Sequence, residues 1–176
     1  MAKVLVVSLG GTITMTQGGA AGIVPTLTAA DLIRSVPGIE KVAEFEAISP
    51  MRLASASLPV DELIALAAML RERLAGGAGE ADAVDGAVVI QGTDTIEETA
   101  WLLDLLVGGD KPVVVTGAMR GPQAPGADGP ANLLAAAIVA ASPAAAGLGV
   151  TVVLNDQVHA ARYVRKAHTA LPSAFV

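Results

Sequence analysis

Threonine hydroxyls, a carboxylate and a lysine are the residues of this chain whose types and positions could do chemistry. Thr12 and Thr93 each follow a glycine, Asp94 comes directly after Thr93, and Lys166 lies far along the chain. A hydroxyl becomes a nucleophile when a base takes its proton, and an uncharged lysine can be that base. The set is suited to nucleophilic or acid–base chemistry, provided that folding brings the four residues together.

The elements that must position these residues are short apolar runs that alternate with helical segments. Five runs predict strands buried on both faces: Val4–Leu9, Ala43–Ile48, Gly86–Ile90, Pro112–Thr116 and Val150–Leu154. Four segments have helical spacing: Thr28–Val36, a segment from Pro59 to the Gly76-Gly77 pair, Thr95–Val107 and Asn132–Ala141. The alternation predicts an α/β fold with a doubly wound parallel sheet. We expect one three-layer domain of the Rossmann or flavodoxin-like kind over residues 1–176, with no second domain.

Ligands of such a sheet bind beyond the carboxyl ends of its strands. The segments that follow the five strands, in order, are Gly10–Thr14, a serine-bearing loop at Ser49–Ser57, Gln91–Thr95, Gly117–Arg120, and Asn155-Asp156 with Lys166 soon after. Hydroxyls, a carboxylate and a lysine are therefore expected at one edge of the sheet.

Some of these residues also have a purely structural interpretation. Gly10-Gly11 could form a tight turn with Thr12 as a helix cap. Thr95 is expected to cap the next helix, with Glu98 three residues on, and Asp128 to cap the helix after that.

Lys166 alone could be a solvated surface charge, and Arg120 could pair a substrate carboxylate or fix its own loop. His159 and His168 lack the HExxH spacing, and the chain has no cysteine, so we predict no metal site. The glycine pairs match neither the GxGxxG nor the Walker A pattern, which predicts no nucleotide cofactor.

Composition narrows the classes further. The net charge of −6 argues against nucleic acid as a partner, because phosphate binding needs a positive surface. No apolar stretch is long enough to span a bilayer, so we expect no membrane partner and a cytoplasmic location.

Four segments resemble, in order and spacing, the motifs of the bacterial L-asparaginases. Gly10–Ile13 resembles the TGGTI motif, and Gln91–Ala100 resembles HGTDTxEETA. Lys111–Leu133 is similar to KPVVxxGAMR followed by ADGPxNL, and Asn155–Thr169 is similar to NDxxHAARxVxKxHT.

The resemblance implies a role for each matching residue. It implies that Thr12 and Thr93 are the catalytic hydroxyls, that Asp94 holds the substrate α-ammonium, and that Lys166 activates Thr93. Thr12 is the preferred nucleophile, but the choice between the two threonines stays open.

The resemblance also implies a substrate-binding set. A serine after the second strand contacts the substrate α-carboxylate, with Ser55 as the first choice and Ser57 as the second. Ala118 lines the amide pocket through its backbone. The binding set is Gly11, Ser55, Ser57, Gly92, Ala118 and Met119, and backbone N–H groups after Gly11 and near Ala118 are candidate oxyanion donors.

The chain departs from the family pattern in several places. Gln91 stands where the family has a histidine, and Leu9 where it has a threonine. The family's loop tyrosine has no counterpart in Gly18–Pro25, since Tyr163 is the only tyrosine. Val176 falls about where typical members continue into a C-terminal domain.

The implied activity is hydrolysis of the side-chain amide of L-asparagine to L-aspartate and ammonia, with no metal or cofactor, by a homo-oligomer that is a dimer or tetramer. Three alternatives stay open: a broader asparaginase/glutaminase, an amide-hydrolysing domain like that of an amidotransferase, and a catalytically weak amino-acid-binding module.

Overall fold

A computed structural model describes residues 1–17, 23–77 and 82–176. Its strands are β1 (Lys3–Ser8), β2 (Met15–Gln17), β3 (Ile23–Pro25), β4 (Glu44–Ile48), β5 (Gly86–Ile90), β6 (Val113–Thr116), β7 (Val150–Leu154) and β8 (Gln157–Ala160). Its α-helices are α1 (Ala29–Arg34), α2 (Val60–Ala75), α3 (Ile96–Leu106) and α4 (Gly129–Ala140). The five predicted strands and four predicted helices are therefore all confirmed, with small shifts at their ends.

Six strands form the main sheet in the order β4-β1-β5-β6-β7-β8. β4, β1, β5, β6 and β7 are parallel, and β8 runs antiparallel to β7. The parallel part has the flavodoxin-like order, so the direction of winding reverses between β1 and β5. That reversal leaves a crevice beyond the carboxyl ends of these two strands.

The sheet is the middle of three layers, because alternate side chains of each buried strand face opposite ways. On β1, Leu5 and Val7 pack with α2 and α3, while Val4 and Val6 pack with α1 and α4. The first residue of β5 is Gly86. A larger residue does not fit there, because its Cβ would overlap the carbonyl oxygen of Ala140 on α4. The predicted doubly wound domain is confirmed.

Two features of the fold were not predicted. β2 and β3 form a small antiparallel hairpin, and β8 adds an antiparallel edge to a sheet expected to be parallel. Asn155 and Asp156 both have positive φ, at 50° and 58°, which is the geometry of a two-residue hairpin turn. β8 escapes prediction because it is short and partly exposed, with no sustained alternation of apolar residues.

Two predicted helix caps are wrong. Thr95 stands at the N-cap of α3, but its hydroxyl donates to the Ser55 carbonyl at 3.1 Å and makes no cap with Glu98. Asp128 stands at the N-cap of α4, but its carboxylate accepts from the N–H of Met119 at 3.0 Å. The partner of Thr95 comes from the loop after β4, and the partner of Asp128 lies nine residues earlier in its own loop.

Among the described residues, no helix has both the length and the apolar character needed to cross a membrane.

Candidate active site

The loops that follow β1 and β5 touch at two glycines. Gly11 has φ of +86°, and a Cβ on it would overlap the backbone of Gly92. Thr12 and Thr93 come one residue after these glycines, so both enter the crevice between β1 and β5. Thr12 is half-buried and Thr93 is buried. Thr12 is not a helix cap, since it is the first residue of the 3₁₀ turn Thr12–Thr14, whose N-cap is Gly11.

A second contact, between Ile13 and the start of α4, fixes the Thr12 loop. The side chain of Ile13 is buried in the layer of α1 and α4. A Cβ on Gly129 would come within 2.7 Å of Cγ1 of Ile13, so Ile13 lies against the start of α4. The backbone at Thr12 is therefore held in place by the packing of the adjacent residue, Ile13.

Lys166 connects the hydroxyl and the carboxylate of the next loop. Its Nζ donates to Oγ1 of Thr93 at 2.8 Å and to Oδ1 of Asp94 at 2.6 Å. The Lys166 side chain is only 13% exposed, whereas that of Asp94 is 73% exposed. The ammonium is thus held inside the cluster, while the carboxylate faces the open cleft and can meet a ligand.

The backbone around Lys166 is held from two sides. Lys166 forms an isolated antiparallel bridge with Phe175, whose ring is buried in the core. The N–H of Lys166 donates to the carboxylate of Glu97, in the first turn of α3. Sequence reasoning gave Glu97 no role, because nothing local links it to a residue 69 positions away.

Ser55 lies inside the cluster and Ser57 does not. Ser55 is buried, and its Oγ accepts the N–H of Asp94 at 3.2 Å. A Cβ on Gly92 would come within 2.9 Å of that Oγ, so glycine is required for the approach. Ser57 ends the same 3₁₀ turn and is exposed. Of the two serines, Ser55 is the one that the fold brings to Asp94.

The loop after β6 is shaped by α4. Ala118 is buried beside Gly129, and the backbone N–H groups of Met119 and Arg120 donate to the carboxylate of Asp128 at 3.0 and 2.9 Å. The Met119 N–H is therefore already used, which removes it from the oxyanion donors expected near Ala118. Arg120 was expected either to pair with a substrate carboxylate or to fix its own loop. It makes the contact to its own loop, since its Nη1 donates to the carbonyl of Gly126 at 3.0 Å.

An open cleft of about 450 Å³ lies beside the cluster and is lined by Asp94, Glu97, Lys166, Ala167, His168 and Thr169. A second cavity of about 270 Å³ lies between α1 and α4, with mostly apolar walls that include Ile13 and Leu133. The first suits a small polar ligand, because carboxylate, ammonium and hydroxyl groups border it.

His159 is partly buried on β8, and His168 bonds to the residues that follow it in the chain. Burial lowers the pKa of the His159 imidazole, on β8, below its ordinary value. Nδ1 of His168 accepts the backbone N–H groups of Ala170 and Leu171. Within residues 1–17, 23–77 and 82–176, no three His, Asp or Glu side chains are grouped so that they could hold a metal ion. Residues 18–22, where the family's loop tyrosine was sought, lie outside the described residues.

The fold and the cluster together define a class: a flavodoxin-like α/β protein with threonine, lysine and aspartate gathered at the winding reversal. Comparison with known proteins then gives the family. A model of the asparaginase N-terminal domain matches residues 3–176.

Individual relatives agree with that match. L-asparaginase 2 of Bacillus subtilis is 39% identical over 180 residues, which cover 98% of this chain and 46% of that protein. A glutaminase-asparaginase of Acinetobacter glutaminasificans is 38% identical, covering 99% of this chain and 52% of that protein. The crystal structure of a probable cytoplasmic L-asparaginase from Campylobacter jejuni superposes with a TM-score of 0.90 at 32% identity, covering 99% of this chain and 53% of that one.

The chain belongs to the asparaginase family. It spans about half the length of the relatives that it matches.

Proposed function

We propose that this chain carries the catalytic centre of an L-asparaginase, which hydrolyses the side-chain amide of L-asparagine to L-aspartate and ammonia. The observation that carries the proposal is Nζ of Lys166 within hydrogen-bond distance of both Thr93 Oγ1 and Asp94 Oδ1. A hydroxyl, a base and an orienting acid within reach of one another are what nucleophilic attack on an amide requires.

Binding uses the exposed carboxylate and the buried serine. The α-ammonium of asparagine pairs with the carboxylate of Asp94, which is open to the cleft. The hydroxyl of Ser55, whose oxygen already accepts the N–H of Asp94, donates its proton to the α-carboxylate. These two contacts place the side-chain amide over the Thr12 and Thr93 loops, with Gly11, Gly92, Ala118 and Met119 as the surrounding wall.

Chemistry then proceeds in two steps. Oγ of Thr12 attacks the amide carbon, its proton passes to the departing nitrogen, and ammonia leaves a β-aspartyl ester. Water attacks the ester carbon, which releases L-aspartate and restores the free hydroxyl of Thr12. The backbone N–H of Thr12, at the start of a 3₁₀ turn with no acceptor inside that turn, is suited to bind the developing oxyanion.

Lys166 acts through Thr93. In the free protein its ammonium is paired with Asp94, and an ammonium cannot accept a proton. When the substrate ammonium takes over the carboxylate of Asp94, Nζ of Lys166 is left facing Oγ1 of Thr93 and is the group that exchanges a proton with that hydroxyl.

The direct test is ammonia release from L-asparagine by the purified chain. Wild-type protein should release ammonia, and Lys166→Met, which keeps the length of the side chain, should not. Equal rates for the two would disprove the proposal. Calorimetric binding of asparagine with no ammonia from wild-type protein would instead support the amino-acid-binding module.

A broader specificity has support from one observation. The Acinetobacter relative carries both glutaminase and asparaginase in its name. Comparing kcat/KM for asparagine and glutamine separates the two: a ratio near one favours a glutaminase-asparaginase, and a ratio above about 100 favours an asparaginase.

We also propose that the protein self-associates and is located in the cytoplasm. Trp101 and Leu105 lie four residues apart on α3 and are 44% and 63% exposed, so they form an apolar stripe on one helix face. Light scattering should give the mass of a dimer or tetramer, and Leu105→Lys should lower it. Ile138→Lys, on the opposite layer, is the matched control.

A further inference from the structure

We propose that Glu97 is a positioning residue for Lys166: its carboxylate holds the main-chain N–H of Lys166 so that Nζ reaches Thr93 and Asp94. This role rests on the proposed function of Lys166, but the contact itself can be tested apart from catalysis. Glu97 also borders the open cleft, but its carboxylate accepts the backbone N–H of Lys166, so we assign it a role through Lys166.

The direction of the Lys166 N–H is set by the short C-terminal ladder. Arg165 and Val176 exchange both backbone bonds, at 2.8 and 3.0 Å, and the N–H of Ala167 donates to the carbonyl of Ala174 at 2.7 Å. Lys166, opposite Phe175, is therefore at a position of an antiparallel pair where the N–H points away from the partner strand. That N–H points to α3, where the Glu97 carboxylate accepts it.

Glu97 is rigidly tied to the residues that Lys166 must reach. It lies in the first turn of α3, four residues after Thr93 and three after Asp94. Ile96 and Ala100 on either side are fully buried, so this turn cannot shift freely. One short segment thus supplies both partners of the Lys166 Nζ and the partner of its backbone.

The arrangement matters because a lysine side chain is long and flexible. Its ammonium can stay within 2.8 Å of Oγ1 of Thr93 only if its Cα is fixed with respect to the β5 loop. Phe175 fixes the strand on one side, and Glu97 fixes it on the side that faces the site. Without Glu97 the N–H would lose its protein partner in a place that is only partly open to water.

Glu98 supplies a matched control. It has the same charge and lies next to Glu97 in the same helical turn, but its side chain is exposed. A general effect of charge at the helix N-terminus would appear for both residues, whereas positioning of Lys166 would appear for Glu97 alone.

The experiment compares wild type, Glu97→Ala, Glu97→Gln and Glu98→Ala in the full chain. Ammonia release gives kcat and KM. Competitive acetylation with mass spectrometry gives the reactivity of Lys166 relative to the exposed Lys41. We expect Glu97→Ala to lower kcat about 10- to 100-fold with KM changed less than about threefold. It should raise Lys166 acetylation at least about threefold, since Nζ loses its fixed partners.

Glu97→Gln should restore kcat and acetylation to near wild type, because the amide oxygen can accept the same N–H. Glu98→Ala should leave both unchanged. Wild-type kcat and acetylation in Glu97→Ala would overturn the proposal, as would equal damage in Glu97→Gln or in Glu98→Ala.

The experiment also gives a decision if Glu97→Ala does not fold or if wild type is inactive. If Glu97→Ala does not fold by circular dichroism, Glu97→Gln decides: near-wild-type values support the hydrogen bond, and lost kcat with raised acetylation overturns it. If wild type releases no ammonia from asparagine or glutamine, the proposed function fails. The acetylation data still test whether Glu97 holds Lys166.

Discussion

At the scale of single residues, the two threonines do different work although both follow glycines in touching loops. Thr93 is buried and bonded to Lys166, while Thr12 is half-buried in a loop fixed by Ile13. Half-buried Thr12 is better placed to meet the substrate, and buried Thr93 to pass a proton to or from Lys166.

Thr12→Ala and Thr93→Ala should each lower ammonia release by at least about 10³-fold, because each removes a hydroxyl that the reaction needs. Far-UV circular dichroism should be unchanged, as neither side chain belongs to the apolar core. Quenched reactions analysed by mass spectrometry should show an ester on Thr12 in wild type. An ester on Thr93 would reverse the assignment, and full activity in either variant would remove that residue from the mechanism.

Asp94 gives a second test at this scale. Asp94→Asn should raise KM for asparagine by about 10- to 100-fold, since the bond to the α-ammonium loses its charge. Succinamate, which is asparagine without the amino group, supplies the control substrate. Wild type should strongly prefer asparagine over succinamate, and Asp94→Asn should lose most of that preference. An unchanged preference would place the ammonium elsewhere.

At the scale of elements, the site depends on how closely the β1 and β5 loops approach each other. Gly11 and Gly38 both have positive φ, at +86° and +82°, but ψ is 179° at Gly11 and 0° at Gly38. Gly11 therefore has a conformation that only glycine adopts readily, whereas Gly38 is in the left-handed helical region. In addition, a Cβ on Gly11 would overlap Gly92, and one on Gly38 meets nothing within 4 Å.

We expect Gly38→Ala to lower the free energy of unfolding by about 1 kcal/mol, which is the cost of a positive φ for alanine. Gly11→Ala should cost at least about 2 kcal/mol more, because its φ and ψ suit glycine alone and because a Cβ would push the two loops apart. The same displacement should abolish ammonia release. Urea unfolding of the two variants measures the difference. Equal losses of stability would mean that neither the conformation of Gly11 nor its contact with Gly92 is costly to change.

At the scale of the whole molecule, the outer parallel edge of the sheet is tied to α2 by a bidentate ion pair. Nη1 and Nη2 of Arg73 donate to the carboxylate of Glu46 on β4, at 2.9 and 2.6 Å. The hydrogen bond from Arg73 is the largest cause that holds the pKa of Glu46 below its ordinary value of 4.5. The pair is partly exposed, so its contribution to stability is modest.

A lowered pKa in the folded state means that the folded protein resists protonation at Glu46. The contribution of this group is fully present above pH 4.5 and is lost as pH falls below it. Wild type should therefore be more stable than Glu46→Gln at pH 7, by less than about 1 kcal/mol, and the two should converge as pH falls. Urea unfolding at pH 7, 5 and 3.5 checks this. A difference that grows towards low pH would contradict the assigned cause.

The five parallel strands and the four helices were predictable because their signals are local. Buried strands have apolar runs, helices have apolar residues three and four apart, and glycine pairs mark breaks. The short strands β2, β3 and β8 have no such signal. The chain order of Thr12, Thr93, Asp94 and Lys166 then indicated one edge of the sheet. The predicted caps at Thr95 and Asp128 were wrong because the side chains bond to residues of a different loop and of a distant part of the same loop.

The sequence by itself determined the layers, the five parallel strands, and which residue types stand at their ends, since each of these follows from residues close together in the chain. Only the tertiary structure decided that Lys166 contacts Thr93 across 73 positions, that Ser55 and not Ser57 meets Asp94, and that Glu97 holds the Lys166 backbone. These contacts depend on the order and register of the strands, which bring distant segments to one crevice. No local sequence pattern indicates which distant segments will meet there.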